Sequence, residues 1–214
     1  MIQLFRLFKK FGDHTALHDV SMHVAKGEFV FITGPSGAGK TTLLRLIHGS
    51  EKPSSGNILV DSINLSRISR VRLDLLRQKI GYVFQDFKLL PNRTVSENVS
   101  IALEIMGAPD SVIQSKTRQV LEFVGLKKKA HLLPLVLSGG EQQRVAIARA
   151  MVKDPLILLA DEPTGNLDSD LTTRIMEMFK EIHQRGATVV VATHSRELLE
   201  NNDFRTIVLN QGII

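Results

Sequence analysis

The stretch EFVFITGPSGAGKTTLLRLIHG, residues 28–49, constrains this chain more than any other. Its first part is a nearly continuous apolar run, which predicts a strand buried on both faces. A glycine-rich loop follows at once, then apolar residues at helical spacing that end near Gly49. Within the loop, Gly34, Pro35, Ser36, Gly37, Ala38, Gly39, Lys40 and Thr41 satisfy G-x-x-x-x-G-K-[ST], and Thr42 follows. Glycines there permit φ angles that turn successive N–H groups inward, forming a nest for phosphate oxygens. The helix start adds partial positive charge. Lys40 supplies a full charge toward the β- and γ-phosphates, and the Thr41 hydroxyl is placed to ligate Mg²⁺. A mere glycine turn would not require a strand before it and a helix after it.

A second stretch, LILLADE, residues 156–162, reads as a buried strand that emits two adjacent carboxylates. That is costly unless they meet cations or water. Asp161 suits Mg²⁺, directly or through water. Glu162 points elsewhere in the pleat and is placed to polarise an attacking water.

The rest of the chain fits an α/β plan. IQLFRLFKKF and ALHDVSMHV alternate apolar and polar residues, predicting antiparallel strands with one covered face. From about residue 87 to 154 the pattern is mostly helical. SVIQSKTRQVLEFVG places Val112, Ile113, Val120, Leu121 and Val124 at roughly helical spacing, and GEQQRVAIARAMV places Val145, Ala148 and Val152 on one stripe with Gln143, Arg144 and Ile147 beside it. The last third returns to apolar strands separated by helices, which argues a parallel, doubly covered sheet. The expected division is an α/β core with an N-terminal β subdomain over residues 1–86 and 155–214, and a helical subdomain over 87–154. The ending TIVLNQGII predicts a strand, a turn at residues 210–212 and the first two residues of a returning strand.

LSGGEQQRVAIARA, residues 137–150, sets a Ser and two glycines directly before a patterned helix. Such a start leaves backbone N–H groups free for an anion. It lies far along the chain from the phosphate loop, so the sequence holds two separate anion sites.

Composition narrows the options. The net charge of +5 is spread out, and aromatics are 5% with no Trp. A single-strand-binding platform needs aromatics interleaved with basic residues, so no nucleic acid is expected. No apolar run approaches the roughly 18 residues needed to cross a bilayer. The N-terminus lacks a signal-peptide pattern, and the absence of Cys fits a reducing compartment.

GPSGAGKT, LSGGEQ and LILLADE, in this order, resemble the nucleotide-binding subunit of an ABC ATPase. LSGG discriminates, because many phosphate-loop proteins carry the other two. The resemblance spans essentially the whole chain. It implies a homodimer stacked head to tail around ATP and Mg²⁺, each nucleotide touching the phosphate loop of one subunit and Ser138, Gly139 and Gly140 of the other. It also assigns Gln85 (in GYVFQD) to sensing Mg²⁺ and the attacking water, and His194 (in VVVATHS) to the γ-phosphate. The same resemblance places Asp168 (in GNLD) in the loop joining the two sites and Phe11 (in KKFGD) stacked on adenine, an ordinary core phenylalanine being the alternative. Ser195 departs from the Asp that many members place after the histidine, which touches a local loop contact only. Within the family, TGPSGAGKTTLL and FKLLPNRTV are most similar to a cell-division branch that pairs with an integral membrane protein. Such a subunit works peripherally on the cytoplasmic face of the bacterial plasma membrane. Lipoprotein-release and macrolide-export members share GEQQRVAIARA and DEPTGNLD and are the competing expectation. The loop around Gln85, with Phe87, Leu89, Leu90 and Pro91, is expected either to receive the membrane partner or to pack in the core.

Overall fold

A computed structural model describes residues 1–165, 167–200 and 202–214. The chain opens with β1 (Ile2–Phe11) and β2 (His14–Val24), paired antiparallel across a tight turn. Next come β3 (Phe29–Thr33), α1 (Lys40–His48), β4 (Ser55–Val60) and the short β5 (Ile63–Asn64). The middle of the chain holds α2 (Arg70–Gln78), β6 (Ile80–Val83), α3 (Val95–Ile105), α4 (Asp110–Phe123) and α5 (Gly139–Met151). The last part alternates β7 (Ile157–Asp161), α6 (Ser169–Gln184), β8 (Thr188–Ala192), α7 (Arg196–Glu200) and β9 (Arg205–Val208). Two sheets result. One is antiparallel in the order β2-β1-β4-β5, and the other runs β6-β7-β8-β3-β9 with every neighbouring pair parallel.

The pleat explains the layering. Successive side chains of a strand point to opposite faces, so β3 sends Phe29 and Phe31 one way and Val30 and Ile32 the other. Phe31, with Leu158 and Val191, packs under α3, α5 and α6. Ile32, with Leu159 and Val190, packs under α1 and the inner face of the antiparallel sheet, where Leu4, Leu7 and Val20 lie. A strand covered on both faces must be apolar throughout, which is why β3, β7 and β8 show no alternation.

One helix, α2, was not anticipated, and two expectations are corrected. In α2, Val71, Leu73 and Leu75 alternate with charged residues, and Leu76 is its only buried side chain; Ser69 starts it by capping Arg72 N. α5 was expected to bury one stripe. Instead Val145, Ala146, Ile147 and Ala148 are all fully buried, because α5 runs between α3 and the sheet and its alanines let neighbours approach on several sides. On α4, Leu121 is enclosed but Val112 is exposed, since only part of the apolar set meets α3 and α5. The C-terminal turn forms as a bridge between Asn210 and Ile213.

Candidate active site

The carboxyl edge of the parallel sheet gathers the chemistry. β3 runs into the phosphate loop, β6 leads to Gln85, β7 ends in Asp161 and Glu162, and β8 leads to Thr193 and His194. Ligand crevices in such sheets lie at this edge. A cleft of about 450 Å³ opens there, lined by Phe11, His14, Ala16, residues 36–42, Gln85, Glu162 and His194.

Glycine is required at two loop positions. Gly39 caps α1 with φ 103°, and a Cβ there would sit 2.7 Å from the Ala16 carbonyl. Gly34 has φ 153°, and its Cβ would meet the Leu209 carbonyl at 1.9 Å. The loop is thus clamped between β2 and the C-terminal segment. Gly34 and Pro35 do not line the cleft. Their carbonyls hold the Lys40 ammonium, at 2.8 and 3.2 Å. Lys40 is only 6% exposed, so its charge is held in place rather than waving in solvent.

The two adjacent carboxylates have separate surroundings. Asp161, 3% exposed, accepts a 3.0 Å hydrogen bond from the Thr41 hydroxyl. Burial pushes its pKa above the ordinary carboxylate value; the Thr41 bond opposes this and the Glu162 charge adds to it. Glu162 leaves the strand with a left-handed backbone, φ 47°, and its amide donates to the Ala192 carbonyl. A non-glycine residue held in that region is strained, and such strain clusters at functional sites. Its Oε1 lies 3.3 Å from Lys40 Nζ, and its Oε2 lies 2.9 Å from His194 Nδ1. The His194 amide donates to the same oxygen at 3.3 Å. Lys40 and His194 therefore hold Glu162 from two sides beside the loop, while Thr41 and Asp161 form a set of hard oxygen donors.

Phe11, expected as a stacking ring, is 46% exposed on the cleft wall and not in the core. The Lys9 ammonium covers one face of the ring at 4.5 Å from its centre. Gln85 is exposed and borders both this cleft and a second one containing Thr41, Arg45, Phe87 and Asp161. His14 and Ala16 also line the cleft, and the sequence reading missed them. Their signal was the chain reversal at Phe11, which brings β2 back beside β1.

Ser138, Gly139, Gly140 and Asp168 do not line this cleft. The Ser138 hydroxyl accepts from Glu141 N at 3.3 Å, and Glu141 accepts from Ser138 N at 3.2 Å, a reciprocal cap at the start of α5. Lys129 holds Glu141 at 2.5 Å. The amides of Gly139 and Gly140 have no hydrogen-bond partner among the described residues. Gly140 packs so closely that a Cβ would lie 2.1 Å from Leu171 Cδ2, whereas a Cβ on Gly139 would meet nothing within 4 Å. Asp168 caps α6 by accepting from Leu171 N at 2.8 Å; its neighbour Asn166 lies outside the described residues. The loop after Gln85 is strapped down. Arg149 donates to the carbonyls of Phe87 and Lys88, at 2.6 and 2.7 Å, and Asn98 brackets Leu90. Phe87 and Leu89 pack against the core, and Leu90 is exposed.

A phosphate loop clamped at the edge of a parallel sheet, with a strand-end carboxylate pair facing it, defines a nucleotide-binding cassette. A family model described as ABC transporter matches residues 17–165. The chain is 47% identical to the cell division ATP-binding protein FtsE of Bacillus subtilis (strain 168), covering 100% of this chain and 94% of that one. It is 46% identical to FtsE of Mycobacterium tuberculosis, over 99% and 93% of the two chains. Among solved structures, it superposes with TM-score 0.93 and 38% identity on MJ0796, described as a dimeric bacterial ABC transporter cassette, covering 100% of this chain and 96% of that one. The same score is reached by the dimeric post-hydrolysis state of MJ0796 bound to ADP and Pi. The chain belongs to the ABC transporter family.

Proposed function

We propose that this chain is the ATP-hydrolysing subunit of a cell-division complex, working as an ATP-bridged homodimer against an integral membrane partner of the FtsX kind. The observation that carries the chemistry is the Lys40–Glu162–His194 cluster beside the phosphate loop. A triphosphate entering the loop competes with Glu162 for the Lys40 ammonium. The freed carboxylate then orients a water for in-line attack on the γ-phosphate, with His194 holding the carboxylate from its other side. Lys40 and the loop amides stabilise charge on the transferring group.

The Thr41 hydroxyl and Asp161 carboxylate are hard oxygen ligands in hydrogen-bond contact, which suits Mg²⁺, and Gln85 reaches the same region from β6. When bound, Mg²⁺ would neutralise charge on the phosphates. Phe11 offers its uncovered face to the adenine.

Two features support the composite site. The unpartnered amides of Gly139 and Gly140 stand at a helix start, a favourable place for an anion, yet away from this chain's own cleft. Neither φ nor packing within the chain requires glycine at position 139, so a close external approach accounts for it. A second copy's γ-phosphate in that position draws the two subunits together, and hydrolysis removes the bridge. Asp168 falls in the segment between the two half-sites. The partner would sit beside Gln85, where Leu90 and Pro91 are exposed. The working place is then the cytoplasmic face of the bacterial plasma membrane, peripherally; among the described residues no helix is long and apolar enough to cross a membrane.

Glu162→Gln tests the assignment. It should keep ATP binding, slow turnover by about 10²–10⁴-fold and accumulate the ATP dimer on size-exclusion chromatography. Near-normal steady-state hydrolysis in this variant would refute the role of Glu162.

A further inference from the structure

Outside the phosphate loop, the cleft contains one hydrogen-bonding side chain for which the phosphate chemistry has no use, His14. Its place follows from the geometry of β1 and β2. Phe11 and His14 are direct cross-strand partners either side of the Gly12–Asp13 turn. Such partners share a face, with Cβ atoms about 5 Å apart. Both line the cleft, and both are exposed. Two residues further along β2, Ala16 touches the phosphate loop, since its carbonyl limits Gly39 to a bare Cα. Two residues of strand span about 7 Å. The wall of the cleft thus runs from the phosphate loop at Ala16, to an imidazole at His14, with an aromatic face at Phe11 beside it.

A nucleoside triphosphate has the same order: phosphates, then a sugar bearing two hydroxyls, then a flat base. With the phosphates in the loop and the base on Phe11, the imidazole beside that ring comes within reach of the sugar that joins the two. A phenyl face stacks on any base and reads no hydroxyl. An imidazole offers one nitrogen as donor and the other as acceptor, so it is suited to ribose hydroxyls. We infer that His14 is a specificity-determining residue that hydrogen-bonds the ribose hydroxyls of the bound nucleotide and so distinguishes ribonucleotides from deoxyribonucleotides. This rests on the nucleotide reading of the cleft given above.

The experiment is calorimetric titration of the full chain with ATP, 2′-deoxy-ATP and 3′-deoxy-ATP, for wild type, H14A and H14Q. One hydrogen bond corresponds to about 3–10-fold in affinity. Wild type should bind ATP about 3–10-fold more tightly than at least one deoxy analogue. In H14A that preference should collapse to about 1, because ATP loses the contact that the deoxy analogue never had. H14Q retains a donor and an acceptor and should keep part of the preference. A ratio of affinities is insensitive to a general loss of folded protein, which would weaken all three nucleotides alike. The assignment is overturned if wild type binds the three equally, or if H14A keeps the full preference while ATP binding stays intact. If ATP fails to bind wild type at all, the nucleotide reading itself falls, and the His14 assignment with it.

Discussion

His48, the last residue of α1, makes the fold sensitive to acid. Its ring meets Tyr82 of β6 edge-on, with centroids 5.1 Å apart, and its Nδ1 is enclosed with no hydrogen-bond partner. Burial, and then the charges of Arg77 and Lys153, lower its pKa from 6.5 to about 4. The unfolded chain therefore accepts a proton that the folded chain resists. Well above pH 6.5 the imidazole is neutral in both states and adds no pH dependence. As pH falls through 6.5 toward 4, the unfolded state binds more protons and stability drops; below about 4 the loss levels off. For a gap of about 2.5 units the full loss is about 3.4 kcal/mol, and at about pH 5 it is already about 2 kcal/mol. H48F keeps a ring against Tyr82 and removes the titrating nitrogen. Urea unfolding followed by circular dichroism, at about pH 7.5 and about pH 5, reads both chains. Wild type should lose about 2 kcal/mol more than H48F across that interval. The other histidines are common to both chains, so the difference isolates position 48. Should H48F pack badly, H48Q repeats the comparison without the ring. Equal losses in wild type and variant would refute the reasoning.

The two signature glycines should separate stability from function. Gly140→Ala pushes aside the half-buried tip of Leu171, which can swing away, and should cost at most about 1 kcal/mol, read from the unfolding midpoint, since alanine suits a helix better than glycine. Gly139→Ala meets open space and should leave stability within about 0.5 kcal/mol, yet it should abolish the ATP-dependent dimer seen by light scattering. Lys40→Ala removes the charge held at the loop and should lose ATP affinity by calorimetry; unchanged binding would contradict the loop assignment.

Much of this was legible in the sequence because short segments carried their own physical requirements. Gly34 and Gly39 are glycines because the loop must turn at positive φ against neighbouring carbonyls. Asp161 and Glu162 stand together at the exit of a strand too apolar to house them. The reciprocal cap of Ser138 and Glu141 was not read, because the Ser-Gly-Gly start was taken for an anion site. α2 was not legible, because Val71, Leu73 and Leu75 alternate with charged residues, and α5 misled because Ala146 and Ile147 fall off the stripe of Val145, Ala148 and Val152 and are buried only where α3 and the sheet enclose them. His14 went unremarked because a lone histidine beside a turn has no local pattern.

The sequence by itself determined the phosphate loop, the order of strands and helices apart from α2, and the chemical types at the strand ends, since these depend on neighbours a few residues away. Only the tertiary structure decided that Glu162 contacts both Lys40 and His194, that Phe11 and His14 face the same cleft, and that Ser138 lies outside it. Those are contacts between residues far apart in the chain, set by strand order in the sheet, and no local period encodes them.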